Sequence, residues 1–478
     1  MRMPAWSHPS LVATVLALGC GPKAGEDGGS GTEGTTDGDL SPSATCDAYL
    51  ECASVVTPAE LGPLLDTYGP EGSCWQSTQE VADQCEIACE SGLAQLQMAF
   101  PDEAVCSDPV DDGTGTGGGT GDPVTEREVD IIFVVDNSGS MGEEQAYLAE
   151  GIAGLVDVLD QATPPVDYRI AVTTTDNGNP WCQGTTPEAG AFRATSCLSR
   201  PTEFRFEGAV TIDAFDEACA NQCTMADLGL SEPWLDVPNA TGTPPAQVAE
   251  TLRCMLPQGI NGCGFEQPLE SLYKSIQRFD SQAEASYGFH RDGALLAVVI
   301  ITDEVDCSHN PEHETIFLPD GNRVFWSDPT GPAPTSAVCW NAGVECAGSG
   351  NPYDECHSQD LDENGEVVTE GAVDDAVLHP VVRYTAQLAG AGVFVVSIDG
   401  VTESGFPVYA DALSDPEFQE SFGIGPGCES SAGRAVPPVR IRDVVASVSG
   451  AENQYSICSS GFEVAMNAIA TGILLRLP

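Results

Sequence analysis

The cysteine content is the feature that most limits how this chain can fold. There are 19 cysteines among 478 residues, and so many thiols predict an oxidising compartment in which cysteines pair as disulfides. Six of them fall in residues 45–106 and twelve in residues 129–478, so each region can pair its cysteines internally. The predicted disulfide cysteines are Cys46, Cys52, Cys74, Cys85, Cys89 and Cys106 in the first region, and Cys182, Cys197, Cys219, Cys223, Cys254, Cys263, Cys307, Cys339, Cys346, Cys356, Cys428 and Cys458 in the second.

The remaining cysteine, Cys20, directly follows a leader-like segment. Arg2 gives residues 1–19 a basic start, and an apolar run that is too short to span a bilayer follows. Ala17-Leu18-Gly19-Cys20 resembles a bacterial lipobox, which implies cleavage before Cys20 and attachment of a lipid to its sulfur. An ordinary signal peptide with an incidental cysteine is the alternative. We expect an extracytoplasmic protein, at the cell surface or in the periplasm, without a transmembrane helix. Gly21 after the lipidated cysteine favours the outer membrane.

Acidic residues far outnumber basic ones, with 73 Asp and Glu against 17 Lys and Arg and a net charge of −56. This balance excludes a nucleic-acid binder that works by neutralising phosphates. Residues 20–44 and 107–128 combine acidic residues with many glycines, a composition typical of flexible linkers. The linkers flank a small, disulfide-rich helical module, residues 45–106, and lead into a large domain, residues 129–478.

Apolar strands alternate with amphipathic helices in the large domain. Val129–Val135 and Ala294–Thr302 are nearly all apolar, as expected of strands buried on both faces of a parallel sheet. Glu143–Leu159 has the spacing of an amphipathic helix. The pattern predicts an α/β fold with a doubly wound, mostly parallel sheet between two layers of helices. Residues 177–243 and 305–370 are rich in loops and cysteines and are predicted insertions.

Side chains with oxygen atoms follow two of the predicted strands. Asp136, Ser138 and Ser140 belong to the segment D-N-S-G-S-M after the first strand, and Asp303 follows the apolar run that ends at Thr302. Ligands of open α/β sheets bind at the carboxyl ends of the strands. Ligation by oxygen alone favours Mg²⁺, Ca²⁺ or Mn²⁺. The sequence therefore predicts a divalent-cation site here, with a simple polar turn as the alternative.

This combination resembles the von Willebrand factor type A (vWA) family, whose metal-ion-dependent adhesion site (MIDAS) has D-x-S-x-S after the first strand. The resemblance covers residues 129–475 outside the insertions. It implies that Asp136, Ser138, Ser140 and Asp303 hold Mg²⁺, partly through water, and that the ion accepts an oxygen from a protein partner.

The sequence departs from the family at one ligand. The family's threonine before the third helix is absent, and Glu266 stands near its place. As a ligand, Glu266 would make the site more negative and could favour Ca²⁺. As a first-turn carboxylate, it would only complement the helix dipole.

We therefore expect a lipid-anchored surface protein, not an enzyme, that binds a protein or surface ligand through Mg²⁺, with Ca²⁺ or Mn²⁺ as alternatives. A metal-dependent hydrolase is a second reading, because His309 and His313 form H-x-x-E-H, although Pro311 would break the helix that this motif needs. A structural envelope protein with an inactive metal site is a third. Residues 360–365 begin like a calcium loop, but an Asn-Gly hairpin turn explains them better.

Overall fold

The structure is a computed structural model, and it describes residues 44–56, 61–70, 72–76, 89, 93, 104–106 and 127–477, the last range without 208–210, 240–241, 370–372 and 391. Cys20, Cys85, the predicted signal peptide and nearly all of both predicted linkers lie outside the described residues. The chain divides into two compact units, Met1–Thr120 and Gly121–Pro478. In the described part of the chain, no helix has the length and apolar character needed to cross a membrane.

The first unit is helical where it is described. Helix α1 spans Ala44–Val56 and α2 spans Leu61–Tyr68. Disulfides join Cys46 to Cys89 and Cys52 to Cys106, and Cys74 is disulfide-bonded as well. The side chain of Trp75 packs among three of these cysteines, and its indole N–H donates to the carbonyl of Tyr68 at 3.1 Å. So small a core is expected to depend on disulfides.

A six-stranded sheet forms the centre of the second unit. The strands of this unit are, in chain order, β1 (Glu128–Val135), β2 (Asp167–Thr174), β3 (Arg205–Glu207), β4 (Thr211–Asp213), β5 (Leu235–Val237), β6 (Leu295–Ile301), β7 (Val344–Gly348), β8 (Tyr353–Ser358), β9 (Val393–Asp399), β10 (Cys428–Ser430), β11 (Gly433–Ala435) and β12 (Gln454–Ser456). The central sheet has the order β12-β9-β6-β1-β2-β5 and is parallel except between β2 and β5. The other strands form the hairpins β3–β4, β7–β8 and β10–β11.

Helices cover both faces of this sheet. The helices of the second unit are, in chain order, α3 (Gly142–Asp160), α4 (Pro245–Met255), α5 (Pro268–Phe279), α6 (Ala337–Gly343), α7 (Val381–Leu388), α8 (Pro416–Phe422), α9 (Val439–Ser449) and α10 (Glu463–Leu474). Of these, α6 and α8 pack in a separate apolar core. Ile131 and Phe133 of β1 pack in one core with α3, α4 and α10, while Ile132 and Val134 pack in another with α5, α7 and α9. Both faces of β1 are therefore buried, which is why its sequence is a continuous apolar run.

The mixed α/β fold with a mostly parallel sheet between helices is confirmed. The first insertion differs from its prediction in one respect. Residues 177–243 read as loops in the sequence, but they contribute β5, an antiparallel edge strand of the central sheet. Three residues are too few to produce a recognisable apolar alternation, so the pairing with β2 could not be seen in advance.

All twelve cysteines of the second unit pair within it. The disulfides are Cys182–Cys263, Cys197–Cys219, Cys223–Cys254, Cys307–Cys339, Cys346–Cys356 and Cys428–Cys458. This confirms the expected disulfide chemistry and indicates an oxidising, extracytoplasmic compartment. A further apolar core joins Phe317, Trp326 and Trp340 of the second insertion to residues outside it, such as Phe265 and Phe418.

Candidate functional site

The carboxyl ends of β1 and β6 meet where the chain changes direction across the sheet. From β1 the chain continues to β2 on one side, and it later adds β6 and β9 on the other. The two strands are paired in parallel, with Val135 opposite Ile301. Asp136 and Asp303 follow these strands, so the fold places both at the position where ligands of open α/β sheets bind.

Asp136 is fully buried, and its backbone N–H and both carboxylate oxygens are hydrogen-bonded. Its backbone N–H donates to the carbonyl of Ile301 at 2.9 Å. Its Oδ1 accepts the backbone N–H of Ser138 at 2.7 Å, and its Oδ2 accepts the hydroxyl of Thr302 at 2.5 Å. The carboxylate is therefore fixed in place by groups from both strand ends.

The two serines connect Asp136 to Asp303. The hydroxyl oxygens of Ser138 and Ser140 are 3.1 Å apart, and the Ser140 hydroxyl donates to Oδ1 of Asp303 at 3.2 Å. Ser138 and Asp303 are buried, whereas Ser140 is exposed. Four of the predicted site residues thus lie in one hydrogen-bonded series with its outer end open to solvent.

Glu266, the fifth predicted residue, lies just before α5 and is fully buried. The hydroxyl of Thr175, at the end of β2, donates to its Oε2, while its Oε1 has no hydrogen-bond partner among the described residues. Its loop contacts the D-N-S-G-S loop, since the N–H of Gly262 donates to the carbonyl of Asn137 at 2.8 Å. Glu266 is therefore next to the series but is not hydrogen-bonded to it.

The carboxyl groups of the series and the neighbouring Glu144 have raised pKa values. Burial, opposed by the hydrogen bonds from Thr302 and Ser138, raises the pKa of Asp136. Burial, followed by repulsion from Asp136 and Glu144, raises the pKa of Asp303 well above its usual range. Burial also raises the pKa of Glu144 to about 7, and neighbouring carboxylates add to the shift.

Two more carboxyl groups behave in the same way. Burial, and then repulsion from Asp136, raises the pKa of Glu266 well above its usual range and that of Glu304 to about 8. The charges that act most strongly on Glu266, Asp303 and Glu304 are all negative. A cation at this position would reverse the shifts, because opposite charge favours the ionised form.

The donor set suits a hard divalent cation. Asp136, Ser138, Ser140 and Asp303 offer only oxygen atoms, and Glu266 has one buried oxygen with no hydrogen-bond partner. However, within the described ranges no group of three or more His, Cys, Asp or Glu side chains is arranged to hold a metal ion. Ligation by two carboxylates and two hydroxyls is the arrangement these residues fit, and Glu266 stays a predicted ligand.

Both insertions pack against the site. A Cβ atom on Gly139 would lie 2.9 Å from the ring of Phe206, which belongs to the β3–β4 hairpin of the first insertion. The hydroxyl of Ser336, in the second insertion, donates to Glu304 at 2.8 Å. The insertions therefore form the surroundings of the site.

The weaker sequence motifs do not form comparable sites. His309 is buried against the ring of Phe317, with the ring centroids 5.0 Å apart, and His313 has a non-helical backbone within a 3₁₀ segment, Pro311–Phe317. The two histidines are thus not presented on an α-helix. Residues 362–366 form the expected turn, with φ of +79° at Gly365.

Three contributors to the site were not identified from the sequence. Thr302 and Thr175 supply the hydroxyl partners of Asp136 and Glu266, and no periodicity identifies a strand-end threonine as such a donor. The burial of Glu144 could have been predicted from the sequence. It precedes Leu148 and Ile152 by one and two helical turns and so belongs to the apolar face of α3.

Comparison with known proteins gives little support for an assignment. No protein-family model matches the chain, and no curated protein matches it. The pilus adhesin SpaC from Lactobacillus rhamnosus GG, in its open conformation, has a TM-score of 0.31 at 11% identity, covering 73% of this chain and 30% of SpaC. Proximal thread matrix protein 1 from the mussel byssus has a TM-score of 0.29 at 10% identity, covering 73% of this chain and 48% of that protein.

The adhesive tip pilin GBS104 from Group B Streptococcus agalactiae has a TM-score of 0.28 at 11% identity, covering 72% of this chain and 98% of that protein. The chain thus spans about a third of SpaC and about half of the thread protein. These scores are too low for the likeness to support an argument about function.

Proposed function

We propose that the second unit is a vWA-type domain that binds Mg²⁺, or alternatively Ca²⁺ or Mn²⁺, and through the ion an oxygen of a protein or surface partner. The observation that supports this is the hydrogen-bonded series from Asp136 to Asp303 at the ends of two paired parallel strands. The carboxyl groups at this position repel one another. A buried group of like charges is costly without a counter-ion.

Asp136, Ser138, Ser140 and Asp303 would hold the ion. The carboxylates would supply charge, and the exposed Ser140 marks the side from which a partner could approach. Glu266 would act as a further ligand in place of the family's threonine. The ion would supply a Lewis-acid contact to the partner's oxygen, so we propose a binding protein rather than an enzyme.

The same proposal includes a location. The disulfides indicate export, and lipidation of Cys20 would tether the chain to a bacterial membrane, which we propose to be the outer membrane. A single helical module between two acidic linkers would then separate the binding domain from the lipid.

Thermal unfolding of the oxidised full-length chain tests the metal site. We expect Mg²⁺ to raise the unfolding midpoint relative to EDTA, because a ligand at 100 times its Kd adds about 2.7 kcal/mol to the free energy of unfolding. Asp136→Ala should abolish this increase. Asp157→Ala is the matched control, since Asp157 is exposed near the far end of α3, and it should keep the increase.

Ca²⁺, Mn²⁺ and Zn²⁺ complete the comparison. A response to Zn²⁺ alone would argue for the hydrolase interpretation. If all four metals and EDTA give one unfolding curve for the unmodified chain, the proposed metal-dependent binding is wrong.

A further inference from the structure

A cleft opens beside the outer end of the site. It has a volume of about 340 Å³ and is walled by the start of α3, the end of the β3–β4 hairpin with the turn after it, and the β10–β11 hairpin. The polar side chains that line it and matter here are Ser140, Glu143, Glu144, Asp213, Glu217 and Asp303. We refer to it as the carboxylate cleft.

Two carboxylates lie in the floor of the carboxylate cleft and three at its rim. Glu144 and Asp303 are 5% and 8% exposed, whereas Glu143, Asp213 and Glu217 are exposed. Oε2 of Glu144 has no hydrogen-bond partner among the described residues. A buried carboxylate oxygen without a donor costs free energy. A ligand that donates a hydrogen bond to Glu144 would therefore be stabilised in the cleft.

The basic residue that lines the cleft, Arg434, is hydrogen-bonded to a different carboxylate. Arg434, on β11, donates to Oδ2 of Asp415 at 2.8 Å, and its guanidinium lies 4.0 Å from the centroid of the Phe418 ring. Its charge is therefore already paired outside the cleft.

The walls of the cleft are packed closely against its floor. A Cβ atom on Gly433 would lie 2.9 Å from Oε1 of Glu144, and one on Gly142 would lie 2.9 Å from the Cβ of Ala214. Three separate elements thus meet at contact distance, and the position of Glu144 is set by the fold.

We infer that the carboxylate cleft binds a basic side chain, arginine or lysine, of a protein partner. A guanidinium or ammonium group supplies N–H donors and positive charge to the floor and the rim together, and charge-assisted hydrogen bonds of this kind are among the stronger ones. A partner's acidic side chain would instead be repelled by the exposed carboxylates at the rim, Glu143, Asp213 and Glu217. This inference deepens the proposed function and rests on it for the location of the partner, but the preference for positive charge does not require the metal.

Three blocked tripeptides provide the probes: acetyl-Gly-Arg-Gly-amide, acetyl-Gly-Gln-Gly-amide and acetyl-Gly-Glu-Gly-amide. Their affinities for the full-length oxidised chain are measured by NMR titration, once with Mg²⁺ and once with EDTA. We expect the arginine peptide to bind about tenfold more tightly than the glutamine peptide in both conditions, the effect of one partly buried charge pair. The glutamate peptide should bind most weakly.

Variants locate the preference in the cleft. Glu144→Gln should bring the arginine peptide to within about twofold of the glutamine peptide, while Glu150→Gln, an exposed position on the same helix, should leave the ratio unchanged. The double variant Glu143→Gln with Glu217→Gln alters only exposed side chains and should also reduce the ratio, so the test survives if Glu144→Gln fails to fold.

Equal binding of the arginine and glutamine peptides would overturn the inference, and so would tighter binding of the glutamate peptide. These outcomes are separate from failure of the metal site, which is judged by the unfolding midpoint with Mg²⁺. Charge preference without any effect of Mg²⁺ would support the cleft and reject the metal-dependent function.

Discussion

The buried carboxylates of the site are hydrogen-bonded to hydroxyl groups rather than to basic side chains. Thr302 donates to Asp136, Ser140 to Asp303, and Thr175 to Glu266. A hydroxyl satisfies a lone pair but brings no positive charge, so it offsets only part of the cost of burying a carboxylate. The pKa values of these groups are therefore raised, and a bound cation would have a large electrostatic effect.

His309 provides a prediction about acid stability. Burial, only partly offset by a backbone hydrogen bond, lowers its pKa from 6.5 to about 4. The unfolded chain therefore binds a proton at His309 before the folded chain does. The contribution of the neutral imidazole to stability is complete above pH 6.5 and is lost as the pH falls to about 4, a change of about 3 kcal/mol.

The measurement is the free energy of unfolding by denaturant between pH 7 and pH 4, for the unmodified chain and for His309→Gln. Glutamine keeps an N–H donor but does not titrate in this range. The difference between the two proteins should shrink as the pH falls. Parallel curves would show that His309 is not a buried neutral imidazole.

At the scale of elements, the disulfide Cys182–Cys263 connects the first insertion to the loop that carries Glu266. It encloses a sequence separation of 81 residues, whereas Cys346–Cys356 encloses 10 within the β7–β8 hairpin. In the loop-entropy description, these separations correspond to about 4–5 and about 3 kcal/mol.

Replacing Cys182 and Cys263 by serine should therefore lower the unfolding midpoint more than replacing Cys346 and Cys356. It should also reduce the stabilisation by Mg²⁺, because the loop of Glu266 would be held less firmly. The hairpin variant is the control, and both are compared by thermal unfolding with and without Mg²⁺. An equal response of the two to Mg²⁺ would mean that the Glu266 loop does not support the site.

The elements that the sequence predicts well are those whose whole length is decided by burial. The helix predicted at Glu143–Leu159 extends one residue further at each end, and β1 and β6 differ from their predicted ends by one residue. The strands β3, β4 and β5 have three residues each, which is too short for a recognisable apolar pattern. The pairing of β5 also depends on β2, a partner distant in sequence. Helices α7 and α9 were also unrecognised, because their apolar positions are interrupted by arginines that fold back into contacts.

The same distinction applies to the site. Asp136, Ser138, Ser140 and Asp303 were predicted because each follows a strand that its own apolar sequence defines. The contact of Phe206 with Gly139 and the closing of the cleft by β10–β11 depend on where an insertion and a hairpin pack in three dimensions. No local pattern encodes that packing.

For the whole molecule, the charge of −56 predicts a response to salt. Repulsion among surface carboxylates favours the unfolded chain, and salt screens it. In the presence of EDTA, raising the NaCl concentration from low to near-molar should increase the unfolding midpoint by roughly 2–4 °C. Choline chloride should act similarly if screening is the cause. A midpoint that falls with both salts would contradict this explanation.

The central sheet has a consequence for how copies of this protein behave side by side. Its outermost strands, β5 and β12, have three residues each, and β5 carries Asp236, which pairs with Arg169 at 3.5 Å. Such short edge strands, one of them charged, offer a neighbouring copy too few free backbone groups for strand pairing. Even at high local concentration, the molecules should therefore resist joining edge to edge into fibres, so that each domain stays separate.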